Sequence, residues 1–331
     1  MKKINFYFIV LTILLLSCND NSLRIDEIAD ESPFIVGKQE YLGSPYVTAG
    51  DRVYAVGHQN GSFPDLGWHI KGEMGGIWNH PIKLMDGFEI GLILQSGDTL
   101  NLEQAHTFTN YPYANKFTYK WSNHNIEVDR WQFVPDGKQG MVVQLVLRNS
   151  GIDQQARITF TGISDLRPTW LGERTNMVDS KDIAKFDETL NLWKVKDTNN
   201  EWHTVYGSQH KNAHPIKTSS LATDNNTTKT SIEQQFDLVN GKTEVINYFI
   251  AGSYHSEEDA LETYQSLIDE LEIDVVSKKE RYIQLANQTK LTIPDKRLQE
   301  TFEWLKYNCD WLIRDVPEIG RGITAGIPDS G

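Results

Sequence analysis

The sequence predicts a mainly β protein in which two packed antiparallel sheets are followed by a short run of helices. Three observations carry that expectation. From about residue 36 to 255 apolar residues recur with a period of two almost everywhere. Turn residues separate ten or so such runs with no helical stretch between them. At Ser256 the period changes to that of a helix. No internal repeat is visible.

The first 18 residues, MKKINFYFIVLTILLLSC, stand outside this pattern. Lys2 and Lys3 precede an apolar run from Phe6 to Leu16 that only Thr12 interrupts, and Ser17 stands before Cys18. A basic start, a short apolar run and a small residue make a secretory signal that is too short for a stable membrane span. Leu15-Leu16-Ser17-Cys18 resembles the bacterial lipobox. Cys18 is therefore expected to be acylated and to become the new N-terminus, lipid-anchoring an exported protein to a bacterial membrane on its periplasmic or cell-surface side. Residues 19–35 are acidic and poor in aromatics, as expected of a solvated tether. The other cysteine is Cys309, so a lipidated Cys18 leaves no intramolecular disulfide.

Within the β region, strands are expected at 51–57, 88–95, 99–108, 116–121 and 124–134. GMVVQLVLRNSG (140–151) puts Val143, Leu145 and Leu147 on one face, and QARITFTGI (155–163) follows after a turn, so the two read as a hairpin. Strands at 190–196 and 202–207 come next. IEQQFDLVNGKTEVINYFIAG (232–252) reads as a second hairpin, because Asn240-Gly241 suits a type I′ turn with positive φ at both central positions.

Ser256 is placed to cap a helix, and Ala260, Leu261, Tyr264, Leu267, Ile268 and Leu271 form its apolar stripe. A second helical stretch covers roughly 275–287. The third, 295–314, is apolar on two faces: Leu298, Phe302, Leu305, Cys309 and Leu312 on one, Trp304, Tyr307 and Trp311 on the other. A helix apolar on two faces is buried on two sides. The glycine-rich run GRGITAGIPDSG (320–331) supplies no cover for the second side, so the chain is expected to be the front part of a larger enzyme.

The net charge of -13 and a sequence pI near 5.2 argue against nucleic acid or an anionic membrane face as partner. Nine tryptophans and 11% aromatic residues fit a ligand with flat apolar faces, sugars included, and fit equally a large sandwich that buries its aromatics. His203, His210 and His214 lack the spacing and the acidic or thiol partner of a zinc site, and no metal or cofactor is expected. GRGITAG follows a helix and does not open one, so it is no phosphate cradle.

Two stretches carry a family likeness: GDRVYAVGHQNGSFPDLGWHIKGEMGGIWNHPIKLMDGFEIGL (50–92) and IPDKRLQETFEWLKYNCDWLIRDVPEIGRGITAGIPD (293–329). They resemble the start of bacterial glycogen-debranching-type glycoside hydrolases, the amylo-α-1,6-glucosidase-like six-hairpin glycosidases. The resemblance implies an N-terminal antiparallel β-supersandwich, linker helices and the first helix of a truncated (α/α)6 barrel. The domains expected are a lipoprotein signal peptide at 1–18, the tether at 19–35, the sandwich at 36–255, a helical linker at 256–292 and the start of the catalytic barrel at 293–331.

Inverting hydrolysis of a glycosidic bond takes an acid and a base carboxyl, roughly 6.5–9.5 Å apart, on a rigid scaffold. In the family resembled that scaffold is the barrel, so no catalytic residue is assigned here. The loop GSFPDLGWHIKGEMGGIWNH (61–80) is the candidate for reaching a barrel mouth. Trp68 and Trp78 can stack on a sugar face, Asp65 and Glu73 can accept from hydroxyls, and five glycines permit unusual backbone angles. The same loop serves equally as a domain interface without ligand contact.

Two functions remain open. One is an exported glycosidase fragment directed at α-glucans or related oligosaccharides and inactive alone; the other is a carbohydrate-binding lipoprotein without catalytic activity.

Overall fold

The computed structural model of the chain describes residues 23–67, 74–169, 176–210, 212–216, 226–324 and 326. Cys18, Trp68 and Glu73 lie outside the described residues.

A short helix, α1 (Ile25–Ala29), leads to β1 (Ile35–Val36), β2 (Pro45–Ala49), β3 (Val53–His58), β4 (Gly76–Asn79) and the long β5 (Ile82–Leu94). Next come β6 (Thr99–Asn101), β7 (Thr107–Asn110), β8 (Ala114–Trp121), β9 (Ile126–Phe133), β10 (Gly140–Asn149) and β11 (Gln154–Pro168). The β region closes with β12 (Asp182–Asp187), β13 (Leu192–Asp197), β14 (His203–Ser208), β15 (His214–Pro215), β16 (Thr228–Leu238) and β17 (Thr243–Ser253). Helices α2 (Glu257–Asp269), α3 (Leu271–Gln288) and α4 (Lys296–Trp311) follow, and a small ribbon of β18 (Ile313–Val316) and β19 (Gly320–Ile323) comes last. None of these helices is long and apolar enough to cross a membrane.

The strands build two antiparallel sheets, as the period-two pattern predicts. The larger runs β1-β7-β8-β9-β10-β17-β14-β13-β12; the smaller runs β15-β16-β11-β5-β4-β3-β2, with β6 beside β5. Their facing sides enclose one core, to which β10 contributes Met141, Val143, Leu145 and Leu147, β5 Leu84, Ile90 and Leu92, and β11 Ile158 and Phe160. The alternate residues of β10, Val142 and Val146, point the other way into a second core under the helices, with Phe249, Ala251, Tyr264 and Leu267. The larger sheet is thus covered on both faces, which is why β10 reads as an almost unbroken apolar run.

Both expected hairpins are instead crossings between the sheets. β10 pairs with β9 and β17, whereas β11 pairs with β5 and β16. Each turn therefore hands the chain from one sheet to the other, and β10–β17 and β11–β16 are the true neighbours. Alternation shows which side chains share a face; it does not show which strand lies alongside. At the second crossing only Gly241 has positive φ, so the turn is not type I′. The two crossings are tied together: Asn149 Nδ2 donates to Leu238 O at 3.0 Å, the Gly241 amide to Asn149 O at 2.8 Å, and the Asn240 amide to Asp153 Oδ1 at 2.7 Å.

The N-terminal stretch also departs from expectation. The segment read as a solvated tether is packed from Ile25 onward, with Ile25 and Ala29 buried in the second core. Gln144, in the middle of β10, receives it: its Oε1 accepts from the Ile25 amide at 2.7 Å, and its Nε2 donates to Leu23 O at 2.7 Å. Apolar residues four apart gave that short helix a buried face.

Ser256 caps α2 as predicted, accepting from the Asp259 amide at 3.1 Å. α3 begins earlier than expected, at Leu271, and α4 ends earlier, at Trp311. The run after it forms the β18–β19 ribbon, which the glycine-rich composition had hidden. On α4 the aromatic face is the covered one: Trp304 and Tyr307 are buried, whereas Leu298 and Leu305 are 54% and 53% exposed and Cys309 is exposed.

A candidate functional site where the sandwich meets the helices

The 61–80 loop is fixed at its root by a cation held inside the sandwich. Arg130 of β9 is buried between the sheets and donates through Nη1 to Gly61 O at 2.9 Å and to Leu102 O at 3.4 Å. Its guanidinium lies 4.2 Å from the Phe117 ring centroid and 5.4 Å from that of Phe88, so aromatic faces replace part of its lost hydration. Gly61 sits at φ +97°, and a Cβ there would run into the Tyr119 hydroxyl. At the other end Gly76, at φ +103°, passes so close to Met85 O that only glycine fits.

Trp78 stands on β4, 2% exposed. Its Nε1 donates to Gly75 O at 3.2 Å, its ring lies roughly parallel to that of Tyr54 at 6.5 Å, and Lys83 Nζ is 5.4 Å from its centroid. The indole is enclosed by protein on this side of the smaller sheet. Asp65 is exposed on the loop. Of the four residues singled out in the loop, the structure thus locates one at the surface and one in a packed cluster, and the other two lie outside the described residues.

Around Trp78 the structure gathers groups that spacing did not announce. Tyr54 Oη and His80 Nε2 share a hydrogen bond of 2.9 Å. Burial, reinforced by the charge of Arg314, pushes His80 down to about 4, so its ring is neutral at neutral pH. Lys83, buried, pairs with Asp86 and lies 3.6 Å from Asp165, which in turn is 3.7 Å from Arg167. Burial raises the Asp165 carboxyl to about 6 against the pull of Lys83, with Asp86 adding to the rise. Burial likewise lifts Asp182 to about 8, opposed by the hydrogen bond it accepts from the Leu166 amide. These are carboxyls that hold or release a proton near neutrality, the property asked of acid and base groups.

The C-terminal ribbon closes this corner. Arg314 donates to Gly50 O and Trp311 O, and its guanidinium lies 4.9 Å from the Tyr54 ring centroid. Asp51 accepts from the Gly137 amide at 2.6 Å and from Arg321 at 2.7 Å, and these donors hold its carboxyl below the usual range although burial alone would raise it. Trp311 Nε1 donates to Pro112 O at 2.8 Å. The histidines weighed for zinc are separated: His203 on β14 lies 3.3 Å from Glu201, and His214 on β15, in the other sheet, 3.8 Å from Glu233. Among the described residues no three His, Cys, Asp or Glu side chains are placed to hold a metal ion.

No protein-family model matches this sequence, and no curated protein sequence does either. Solved structures do match. A protein from the human microbiome named as a kojibiose phosphorylase superposes with a TM-score of 0.53 at 10% identity, over 85% of this chain and 41% of that one. The likeness is one of fold. A bacterial glucoamylase solved with acarbose follows at a TM-score of 0.43 and 8% identity, over 84% of this chain and 40% of its own. An inverting mannosidase of family GH92 from Bacteroides thetaiotaomicron has the same TM-score at 10% identity, over 70% of this chain and 31% of its own. The chain thus spans less than half the length of these structures.

Proposed function

We propose that these residues are the sandwich platform of an exported, lipid-anchored enzyme acting on α-glucans or related oligosaccharides, with the catalytic carboxyl pair carried outside them. The observation that carries this reading is the fold shared over 85% of the chain with 41% of a protein named as a kojibiose phosphorylase. The debranching-type assignment rests on the sequence resemblance alone. In this reading the 61–80 loop lies along the wall a sugar meets, with Asp65, Trp68 and Glu73 as its contacts and Trp78 packed behind them as support, and Cys18 carries the lipid.

The helical layer supports a docking role for the chain. α3 exposes Ile273 and Ile283, α4 exposes Leu298 and Leu305, and the terminal ribbon exposes Ile319 and Ile323. In this reading a further domain covers some of these side chains. Cys309 lies on that α4 face and reports on it. In residues 19–331 it is the sole cysteine, and its thiol is expected to react with a disulfide reagent at close to the rate of an unfolded peptide thiol, at any protein concentration. Protection of the thiol by a factor of about 100 or more would show that the face is already covered and would remove the support it lends to a docked catalytic domain.

A further inference from the structure

Two buried aspartates paired in register across β12 and β13, Asp182 and Asp197, are treated very differently by their surroundings. Asp197 of β13 accepts from the amides of Ser180, Asn199 and Asn200 and from Asn200 Nδ2, all between 2.7 and 2.9 Å. Asp182, the first residue of β12 and 2% exposed, accepts among the described residues one hydrogen bond, from the Leu166 amide at 2.9 Å, and its buried Oδ1 has no partner among them. The groups that face it are mostly carboxylates: Asp165 of β11, Asp197 of β13 and Asp179 of the segment leading into β12. The Tyr206 phenol of β14 also adjoins it. Lys83 of β5 and Arg167 of β11 pair with the neighbouring Asp165, and Lys83 also with Asp86. An ionised carboxylate with one donor and like charges around it cannot be held in such a place without large cost.

The segment that Asp182 secures also packs Met177, Ala184 and Phe186, each partly buried, against the core between the sheets, and its polar ties to the smaller sheet centre on Asp182. β12 is the outermost strand of its sheet and pairs with β13 alone. Besides the Asp182–Leu166 bond, the Asp182 amide donates to Asn226 O at 2.8 Å, and Asn226 Nδ2 donates to Asp179 at 2.9 Å.

We propose that residues 176–187 form a strap latched onto β11 by the proton on the Asp182 carboxyl, closed in acid and progressively released as the pH rises and that proton passes to solvent. Asp165 joins the latch to Lys83 and so to the Trp78 cluster. The sign follows from linkage. The raised carboxyl binds its proton more tightly latched than free, so latching is strongest below the ordinary aspartate value of about 4 and weakens until about pH 8, where the dependence levels off.

The test is hydrogen exchange of the Leu166 amide and the β12 amides at pH 5 and pH 8, corrected for the intrinsic pH dependence of exchange, on the full chain. Protection is expected to fall at least tenfold between the two, while β10 and β17 amides keep theirs. D182N still accepts from Leu166 and cannot ionise, so its protection should stay within twofold across the same range. D165N removes a repelling charge, so the fall should end at a lower pH than in the parent chain. Equal protection at both pH values in the parent, a fall retained in D182N, or an unmoved end point in D165N would each overturn the proposal. If D182N fails to fold by circular dichroism, D165N and the parent decide.

Discussion

Replacing Lys278 by alanine should produce the largest loss of stability of any single surface-to-core change in the helical layer. Lys278 of α3 is 2% exposed and reaches beneath the sandwich, donating to Ala49 O at 2.6 Å and to Val134 O and pairing with Asp136 at 3.2 Å. It ties the ends of β2 and β9 to the helix, and burial holds its ammonium below its ordinary value. Alanine leaves two carbonyls and a carboxylate without this donor and leaves a cavity, an expected cost of about 3 kcal/mol or more. On a chain of this size that lowers the melting temperature by about 6 °C or more. Methionine restores the stem without the charge and should recover roughly a third to a half of the loss, because desolvating an ammonium is itself unfavourable. A thermal melt of the alanine variant within 2 °C of the parent would show that the buried contacts are not made.

The second large effect belongs to Asp310. Its two oxygens take a forked pair from Arg281 at 2.7 and 2.8 Å, and Oδ2 also accepts from the Tyr282 hydroxyl at 2.7 Å, so α4 is clamped to α3. Arg281 passes the clamp on to Asp136 at 2.7 Å, beyond β9. Asp310→Ala should cost about 2 kcal/mol and open the connection between α3 and α4 to proteolysis, releasing the face that holds Trp304 and Tyr307. Although burial alone would raise the Asp310 carboxyl, its donors hold it below the usual range. The stabilisation is therefore present above about pH 4 and fades as the pH falls through the depressed value, so parent and variant should converge in acid. Leu305→Glu, on the exposed face of the same helix, should change stability by no more than about 0.5 kcal/mol. Equal effects of the two substitutions would mean that α4 is docked through a different face.

These contrasts show where sequence reasoning reaches and where it stops. Ser256 and the stripe that follows it announced α2, because cap and stripe are both local. Strand existence was equally legible over 126–133 and 140–149. Partner choice was not, since β10 and β11 differ from a hairpin only in what lies beside them, and a turn that joins two sheets uses the same polar residues as one that joins two neighbours. The two faces of α4 were readable as apolar, but which one packs is decided by Tyr282 and Pro112, far away in the chain. The site shows the same limit. Tryptophans in a glycine-rich loop suggested a sugar platform, whereas Trp78 is enclosed by Tyr54 and Lys83 from neighbouring strands. Asp51, Asp136, Lys278, Arg281, Asp310 and Arg314 share no spacing, so the ionic tie between sandwich and helices could be found only in three dimensions.

As proposed above, the chain supplies a platform for carbohydrate chemistry and the reacting carboxyls lie outside it. The most direct test of that proposal is turnover by purified residues 19–331 of maltooligosaccharides, glycogen and kojibiose, with and without phosphate. The account predicts no product above the enzyme-free blank with any of them. Turnover that disappears in the folded D165N or D182N variant, or on replacing any other carboxylate in the chain, would contradict it.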